Sequence, residues 1–388
     1  MPSTELRQKL FPSARRVVIK LGTAVLSQPD GTLDLAYIRD IARQIVALRE
    51  RRIEVTIVSS GAVGAGCAVM KLTKRPTDVA TLQAVAAVGQ RQLMTHMHEA
   101  FAPYGLHVGQ LLLTRTDFDD RTRYLNIRNC VTRLHEMSCI PVINENDTVA
   151  VDELRFGDND TLAALMCNAL GGQVLVVLSV VDGLLDENGQ VIDLMHNSFD
   201  AAPYIRQEKT AMGSGGMTTK LEATRLVTEA GEAAVIANGR TPDVLLRLFA
   251  GESGIGTVFV PAHRKMGSRQ RWIALTARPA GIISIDEGAV HALVKRNKSL
   301  LATGITETTG NFSRGEIVVV RDPHGREIAR GLTNYASEEL RLIMGKRSNQ
   351  FEKLLGGRTA YAEVIHRDNM VVVAREDASG RTSSTVAS

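Results

Sequence analysis

Pro141-Val142-Ile143-Asn144-Glu145-Asn146-Asp147 is a short apolar run that closes on carboxylates and carboxamides, and Phe156-Gly157-Asp158-Asn159-Asp160 soon adds more of them. Ligands of open α/β sheets bind beyond the carboxyl ends of the strands, so a strand ending this way reads as the floor of a site. Asn offers donors and acceptors while ionised Asp only accepts. Together they can hold an ammonium and a carboxylate or amide at once, which suits a small zwitterion such as an amino acid. A polar loop with an Asx-type helix cap uses the same residue types, and on this stretch alone both readings stand.

Outward from that run, β-branched segments alternate with longer amphipathic ones from Arg16 to about Val260, the pattern of βαβ units. Strands are expected at Val17–Lys20, Val55–Ser59, His107–Leu113, Ile140–Asn144, Val174–Leu178 and Ala234–Ala237. Helices are expected at Leu35–Arg49, Val79–Phe101, Arg121–Met137, Asp160–Leu170 and Thr218–Ala230. The fold class is α/β, an open, mostly parallel sheet with helices on both faces, over residues 1–277. Composition shifts at Arg278-Pro279-Ala280-Gly281, which reads as a linker. A second domain over 281–375 is expected to be a small β-rich barrel, with strands at Ile282–Ile285, Ile317–Val320 and Val364–Ile365 and a helix near Ala289–Lys295. The small polar residues of 376–388 read as a disordered tail.

Of the 388 residues 44% are hydrophobic and 4% aromatic, so the core is built from aliphatic side chains, as in helices packed on a parallel sheet. A net charge of +4 permits an anionic substrate such as a nucleotide without demanding nucleic acid. Cys67, Cys130, Cys139 and Cys167 are widely spaced and form no Cys-x-x-Cys pair. Neither a zinc site nor a disulfide framework is suggested, and a reducing compartment fits. No apolar run reaches bilayer length and the basic N-terminus has no signal-length apolar core, so a soluble, cytoplasmic protein with no membrane partner is expected.

Three further segments carry chemistry. Lys20 ends the first strand directly before Leu21-Gly22-Thr23, where its ammonium can meet a phosphate lying against the Gly22 turn; an ordinary surface lysine is the alternative. Ser59-Ser60-Gly61-Ala62-Val63-Gly64-Ala65-Gly66 follows the second strand as a glycine-rich loop, either a close approach to substrate or a purely structural turn. Its Gly-x-x-Gly-x-Gly spacing is not the dinucleotide fingerprint. Gly213-Ser214-Gly215-Gly216-Met217-Thr218-Thr219-Lys220 runs into a helix whose N-terminus can bind an anion, though it is not a Walker loop. Lys220 in the first turn opposes the helix dipole unless it has an anionic partner, which favours a phosphate contact. Two lysines from distant parts of the chain, two glycine-rich segments and an Asn/Asp cluster suggest phosphoryl transfer, a reaction served by alignment and charge neutralisation.

On Val17-Val18-Ile19-Lys20-Leu21-Gly22-Thr23, Val58-Ser59-Ser60-Gly61-Ala62-Val63, the Pro141–Asp147 and Phe156–Asp160 stretches and Gly215–Lys220, the chain resembles the amino-acid kinase family, in its glutamate-phosphorylating branch. Residues 281–345, with Ile285-Asp286-Glu287-Gly288-Ala289, Lys298-Ser299-Leu300-Leu301, Gly304-Ile305 and Ala329-Arg330-Gly331-Leu332, resemble a pseudouridine synthase and archaeosine transglycosylase (PUA) domain. The resemblance implies transfer of the ATP γ-phosphoryl group to the side-chain carboxylate of L-glutamate, the first step toward proline. Lys20 and Lys220 would neutralise the migrating group and Asp160 would hold both lysines. Ser60, Asn144, Asp147 and Asn159 would grip glutamate. Lys20, Gly22, Ser179, Ser214, Gly215, Gly216, Met217, Thr218, Thr219 and Lys220 would contact ATP, with Mg2+ carried by the nucleotide and no metal site in the protein. Feedback inhibition by proline and a homo-oligomer are further expectations. Val180 stands where the family usually has an acidic side chain, which puts any side-chain contact to the nucleotide there in doubt, and Ala302 replaces a proline common in the second domain. PUA domains elsewhere often bind RNA, but 15 Lys/Arg against 13 Asp/Glu from Gly281 onward disfavours an RNA partner. Within the family, aspartate and N-acetylglutamate are the rival substrates.

Overall fold

A computed structural model describes residues 3–150, 159–196, 201, 204, 216–262, 265–357 and 361–373, with backbone also at 375–376 and 382–383. The chain forms two compact units, Met1–Lys265 and Met266–Ser388. The segment expected as a linker, Arg278–Gly281, thus lies inside the second unit. The tail 376–388 falls almost wholly outside the described residues.

The first unit runs α1 (Ser3–Ser13), β1 (Arg16–Leu21), α2 (Thr23–Leu26), α3 (Leu35–Glu50), β2 (Glu54–Ser59), α4 (Ala62–Val69), α5 (Val79–Phe101), β3 (Val108–Leu113), α6 (Arg121–Glu136), β4 (Ile140–Glu145), α7 (Asn159–Leu170), β5 (Val174–Ser179), β6 (Leu194–Met195), α8 (Met217–Glu229), β7 (Ala233–Asn238), α9 (Val244–Phe249) and β8 (Thr257–Phe259). Asp34, Asp78 and Asp120 start α3, α5 and α6 by accepting from the backbone N–H of Tyr37, Thr81 and Arg123 at 3.0, 2.9 and 2.8 Å.

The strands form one eight-stranded sheet in the order β3-β4-β2-β1-β5-β7-β8-β6, parallel throughout except between β7 and β8. The burial of β1, β2, β4, β5 and β7 on both faces explains why they read as continuous apolar runs. Alternation decides which residues meet which layer. Val17, Ile19 and Leu21 of β1 join the core that contains Ile41 and Ile45 of α3, Met97 of α5 and Phe249 of α9. Lys20 is offset by one residue and faces the other layer, where α7 packs on β1.

The stretch Ser59–Gly66, expected as a glycine-rich loop, is instead the end of β2 and the first turns of α4. Gly61 caps that helix at φ +99°. A Cβ built on Gly66 would stand 1.9 Å from the Val85 carbonyl oxygen, and one on Gly89 would stand 1.8 Å from that of Ala62. These glycines let α4 and α5 touch backbone to backbone.

The second unit carries a separate five-stranded sheet, β10-β9-β11-β12-β13, from β9 (Gly281–Ile285), β10 (Ile305–Gly310), β11 (Ile317–Arg321), β12 (Glu327–Leu332) and β13 (Met370–Val372). All its pairings are antiparallel except β9 with β11. Ile283, Ile285, Val318, Val320, Ala329, Tyr335 and Phe351 form its core. The expected strand at Val364–Ile365 is only a single bridge from Ile365 to Leu300, because that segment crosses Leu300 at one residue. The expected helix occurs at Glu287–Val294, capped by Asp286 through the Ala289 N–H at 2.7 Å. Among the described residues no helix is long and apolar enough to cross a membrane.

Candidate active site

Lys20 near the end of β1, Asp160 in the first turn of α7 and Lys220 in the first turn of α8 converge beneath the carboxyl edge of the sheet. Lys20 Nζ lies 2.7 Å from Asp160 Oδ1, an ionic contact outside good hydrogen-bond alignment, while Lys220 Nζ donates to Oδ2 at 3.4 Å. Thr219 Oγ1 lies 3.0 Å from both Asp160 Oδ2 and the Gly216 carbonyl oxygen, and Lys220 Nζ reaches the same carbonyl at 3.4 Å. Asp160 is fully buried and the lysines are 6% and 7% exposed. Burial opposes ionisation of Asp160, but the charges of Lys20 and Lys220 and the Thr219 hydrogen bond outweigh it and hold the carboxyl below its ordinary range. For Lys220, burial and then Lys20 push the ammonium pKa down against the pull of Asp160, with a net lowering. Two buried ammonium groups thus converge on one carboxylate in a site shielded from water. Such a cluster is completed by an anionic ligand.

Beside it lies a string of carboxamides. Asn144, next to last in β4, donates from Nδ2 to Gln90 Oε1 of α5 at 2.8 Å. Its Oδ1 accepts from the Glu145 N–H at 2.8 Å and from Asn159 Nδ2 at 3.1 Å. Asn159 directly precedes Asp160, so the string and the charged cluster share the start of α7. Asp147 is half-buried after β4 and lines a cavity of about 630 Å³ together with Gln90, Arg91, Gln110, Glu145 and Thr148.

The remaining sequence-derived candidates occupy strand ends and helix starts. Ser60 follows β2, nearly buried, with its N–H on the Leu21 carbonyl oxygen at 3.1 Å. Gly22 donates its N–H to Leu178 O at 3.1 Å, and a Cβ there would come within 3.7 Å of Lys20 Nζ. Ser179 ends β5. Gly216 is the N-cap of α8 and has no side chain to cap it with; Met217, Thr218 and Thr219 form the first turn. Ser214 and Gly215, with Asp158, lie outside the described residues. Gln90 was not among the candidates. Its one signal is a polar residue on the buried face of α5, between Val85 and Leu93.

A sequence profile of the Amino acid kinase family matches residues 15–238. The chain belongs to the amino acid kinase family. A profile of the PUA domain matches residues 281–355, within the second unit. Three curated relatives are each named glutamate 5-kinase. That of Caldanaerobacter subterraneus subsp. tengcongensis is 44% identical over 94% of this chain and 100% of its own. That of Geobacter sp. (strain M21) is 42% identical over 95% and 100%, and that of Chromohalobacter salexigens 44% over 93% and 96%. Among solved structures, the UMP kinase from Ureaplasma parvum covers 63% of this chain and 99% of its own at 15% identity and TM-score 0.43, too loose an alignment to bear on the site. In this amino acid kinase Val180 is 39% exposed just after β5, and nearby Asp182 accepts from Asn238 Nδ2 at 2.8 Å.

Proposed function

We propose that this amino acid kinase transfers the γ-phosphoryl group of ATP to the side-chain carboxylate of L-glutamate, giving L-glutamyl 5-phosphate at the head of proline biosynthesis. The convergence of the buried Lys20 and Lys220 ammonium groups on Asp160 at the carboxyl edge of the sheet carries this reading, and the relatives' name supports the choice of substrate. A glutamate carboxylate is already ionised at neutral pH, so it attacks the γ-phosphorus without a general base, and the bond to the β–γ bridging oxygen breaks to release ADP. Lys20 and Lys220 hold the non-bridging oxygens, where charge accumulates as the bonds exchange, and Asp160 keeps both ammonium groups oriented. Ser60, Asp147 and Asn159 hold glutamate, with Asn144 bracing Asn159. Gly22, Ser179, Gly216, Met217, Thr218 and Thr219 contact ATP, as would Ser214 and Gly215, which lie outside the described residues.

Both Asp160 oxygens are engaged by lysine and threonine. Magnesium would be carried by ATP, held by the nucleotide's phosphates and water, and would supply charge neutralisation there. Proline inhibition at or near the glutamate site, homo-oligomerisation and a cytoplasmic setting complete the proposal. Incubation with ATP and glutamate, aspartate or N-acetylglutamate, scored by trapping acyl phosphate as hydroxamate, tests it. Product from glutamate alone is expected; product from another member of the panel and none from glutamate overturns it.

A further inference from the structure

The polarity of the carboxamide string is fixed by one backbone group. The Glu145 N–H can only donate, so the Asn144 atom it meets at 2.8 Å is the oxygen and the other terminal atom is the nitrogen. That nitrogen must donate, so the Gln90 atom 2.8 Å away is Oε1. Asn159 faces the Asn144 oxygen at 3.1 Å and must present its nitrogen. The two outer ends are thereby set as well: a donor, Gln90 Nε2, and an acceptor, Asn159 Oδ1. Both are buried and neither has a hydrogen-bond partner among the described residues. Gln90 is 9% exposed and lines the cavity that Asp147 also lines. Buried polar groups are almost always satisfied, and an orphan donor with an orphan acceptor at the two ends of one string calls for a ligand carrying the opposite pair.

We propose that Gln90 is a substrate-binding residue, whose Nε2 donates to the α-carboxylate of the amino acid while Asn159 Oδ1 accepts from its ammonium. The assignment rests on the reading of this site as one for a free amino acid, and it adds the residue that recognises the α-carboxylate. Asn144 spends its oxygen on Glu145 and Asn159 and a proton on Gln90, so its part is to fix the direction of both neighbours. Gln90 thus selects for a carboxylate at Cα, remote from the reacting carboxylate held toward Lys20 and Lys220.

Gln90→Glu tests this, because the new carboxylate keeps an oxygen for Asn144 Nδ2 and replaces the outward donor by an acceptor. The substrates are L-glutamate and L-isoglutamine, which keeps the reacting side-chain carboxylate but carries a carboxamide at Cα. In the variant, kcat/KM for glutamate is expected to fall about a hundredfold and that for isoglutamine much less, so that the glutamate preference drops at least tenfold. Equal losses on both substrates, or no change on either, overturn the proposal, since a purely structural role does not distinguish substrates by their α-substituent. Should Gln90→Glu fail to fold, Gln90→Met removes the donor without adding charge, and an unaltered preference in that variant overturns the proposal equally. Absence of acyl phosphate from glutamate with the wild-type protein is a different result, which refutes the functional reading itself.

Discussion

Replacing Asp160 by Ala removes the only anion that the described structure sets between Lys20 and Lys220. At an effective dielectric near 20, the 2.7 and 3.4 Å contacts correspond to Coulomb attractions of about 6 and about 5 kcal/mol. Most of that is offset by the cost of burying three charges, and deleting one member of such a group typically destabilises by about 3–5 kcal/mol. In a unit of this size each kcal/mol shifts the melting point by about 2–4 °C, so a fall on the order of 6–20 °C is expected. The loss has a chemical remedy. ATP phosphates bring negative charge to the same ammonium groups, so saturating ATP should raise the melting temperature of Asp160→Ala by more than it raises that of the wild type. Differential scanning fluorimetry with and without ATP, alongside the hydroxamate assay, measures both effects, and turnover should fall by about a hundredfold or more as the lysines lose their orientation. A variant that melts within 2 °C of the wild type, or gains no more from ATP than the wild type does, refutes the view that Asp160 balances the lysine charge where phosphate binds.

Lys220→Ala should lower kcat by about two orders of magnitude while changing the glutamate KM little, since its charge matters most as charge moves to the transferring oxygens; steady-state kinetics with a raised KM and intact kcat would contradict this. Asp147→Ala should chiefly raise the glutamate KM, and an unchanged value removes Asp147 from the binding set. Gly89→Ala puts a methyl 1.8 Å from the Ala62 carbonyl oxygen, so α4 and α5 must separate; urea denaturation should show a loss of about 1–3 kcal/mol or more. His135, packed on Thr56 Oγ1 at 3.0 Å, has its pKa pushed down to about 4 by burial, with Arg49 and Arg16 adding to it against Glu54. Because the folded value lies below the ordinary one near 6.5, the unfolded chain takes up the proton first, and stability falls as pH drops from about 6.5 to about 4. His135→Gln should flatten that part of the stability profile measured by denaturation at pH 7 and pH 5.

The sheet was legible because its central strands are buried on both faces and their ends change abruptly in polarity. Val17–Lys20 and Ile140–Asn144 announce both a strand and where it opens. The second unit was less so: Ile305-Thr306-Glu307-Thr308-Thr309-Gly310 is mostly exposed, so β10 lacks the apolar alternation that marks a half-buried strand. Glycine was ambiguous for a different reason. In Gly61–Gly66 it serves a positive φ at one end and helix contact at the other, and both look like a loop when the partner helix is not in view.

The same glycines explain why Gln90 was hidden. Its partner Asn144 is 54 residues away, and nothing local to α5 points to it. What brings them together is the approach of α4 to α5, which Gly66 and Gly89 permit by having no side chain, one residue before Gln90 itself. Residues without functional atoms therefore set the position of one that has them. Sequence motifs mark strand ends and helix starts, where a ligand is met by consecutive residues, but a site wall built by a helix crossing is encoded in packing volume. Gln90 is a polar residue retained on an apolar helix face against the cost of burial, and that cost is met by Asn144 on one side only. The unmet half is what the proposed role of Gln90 in substrate binding accounts for, and it would make α5 a wall of the site as well as part of the core.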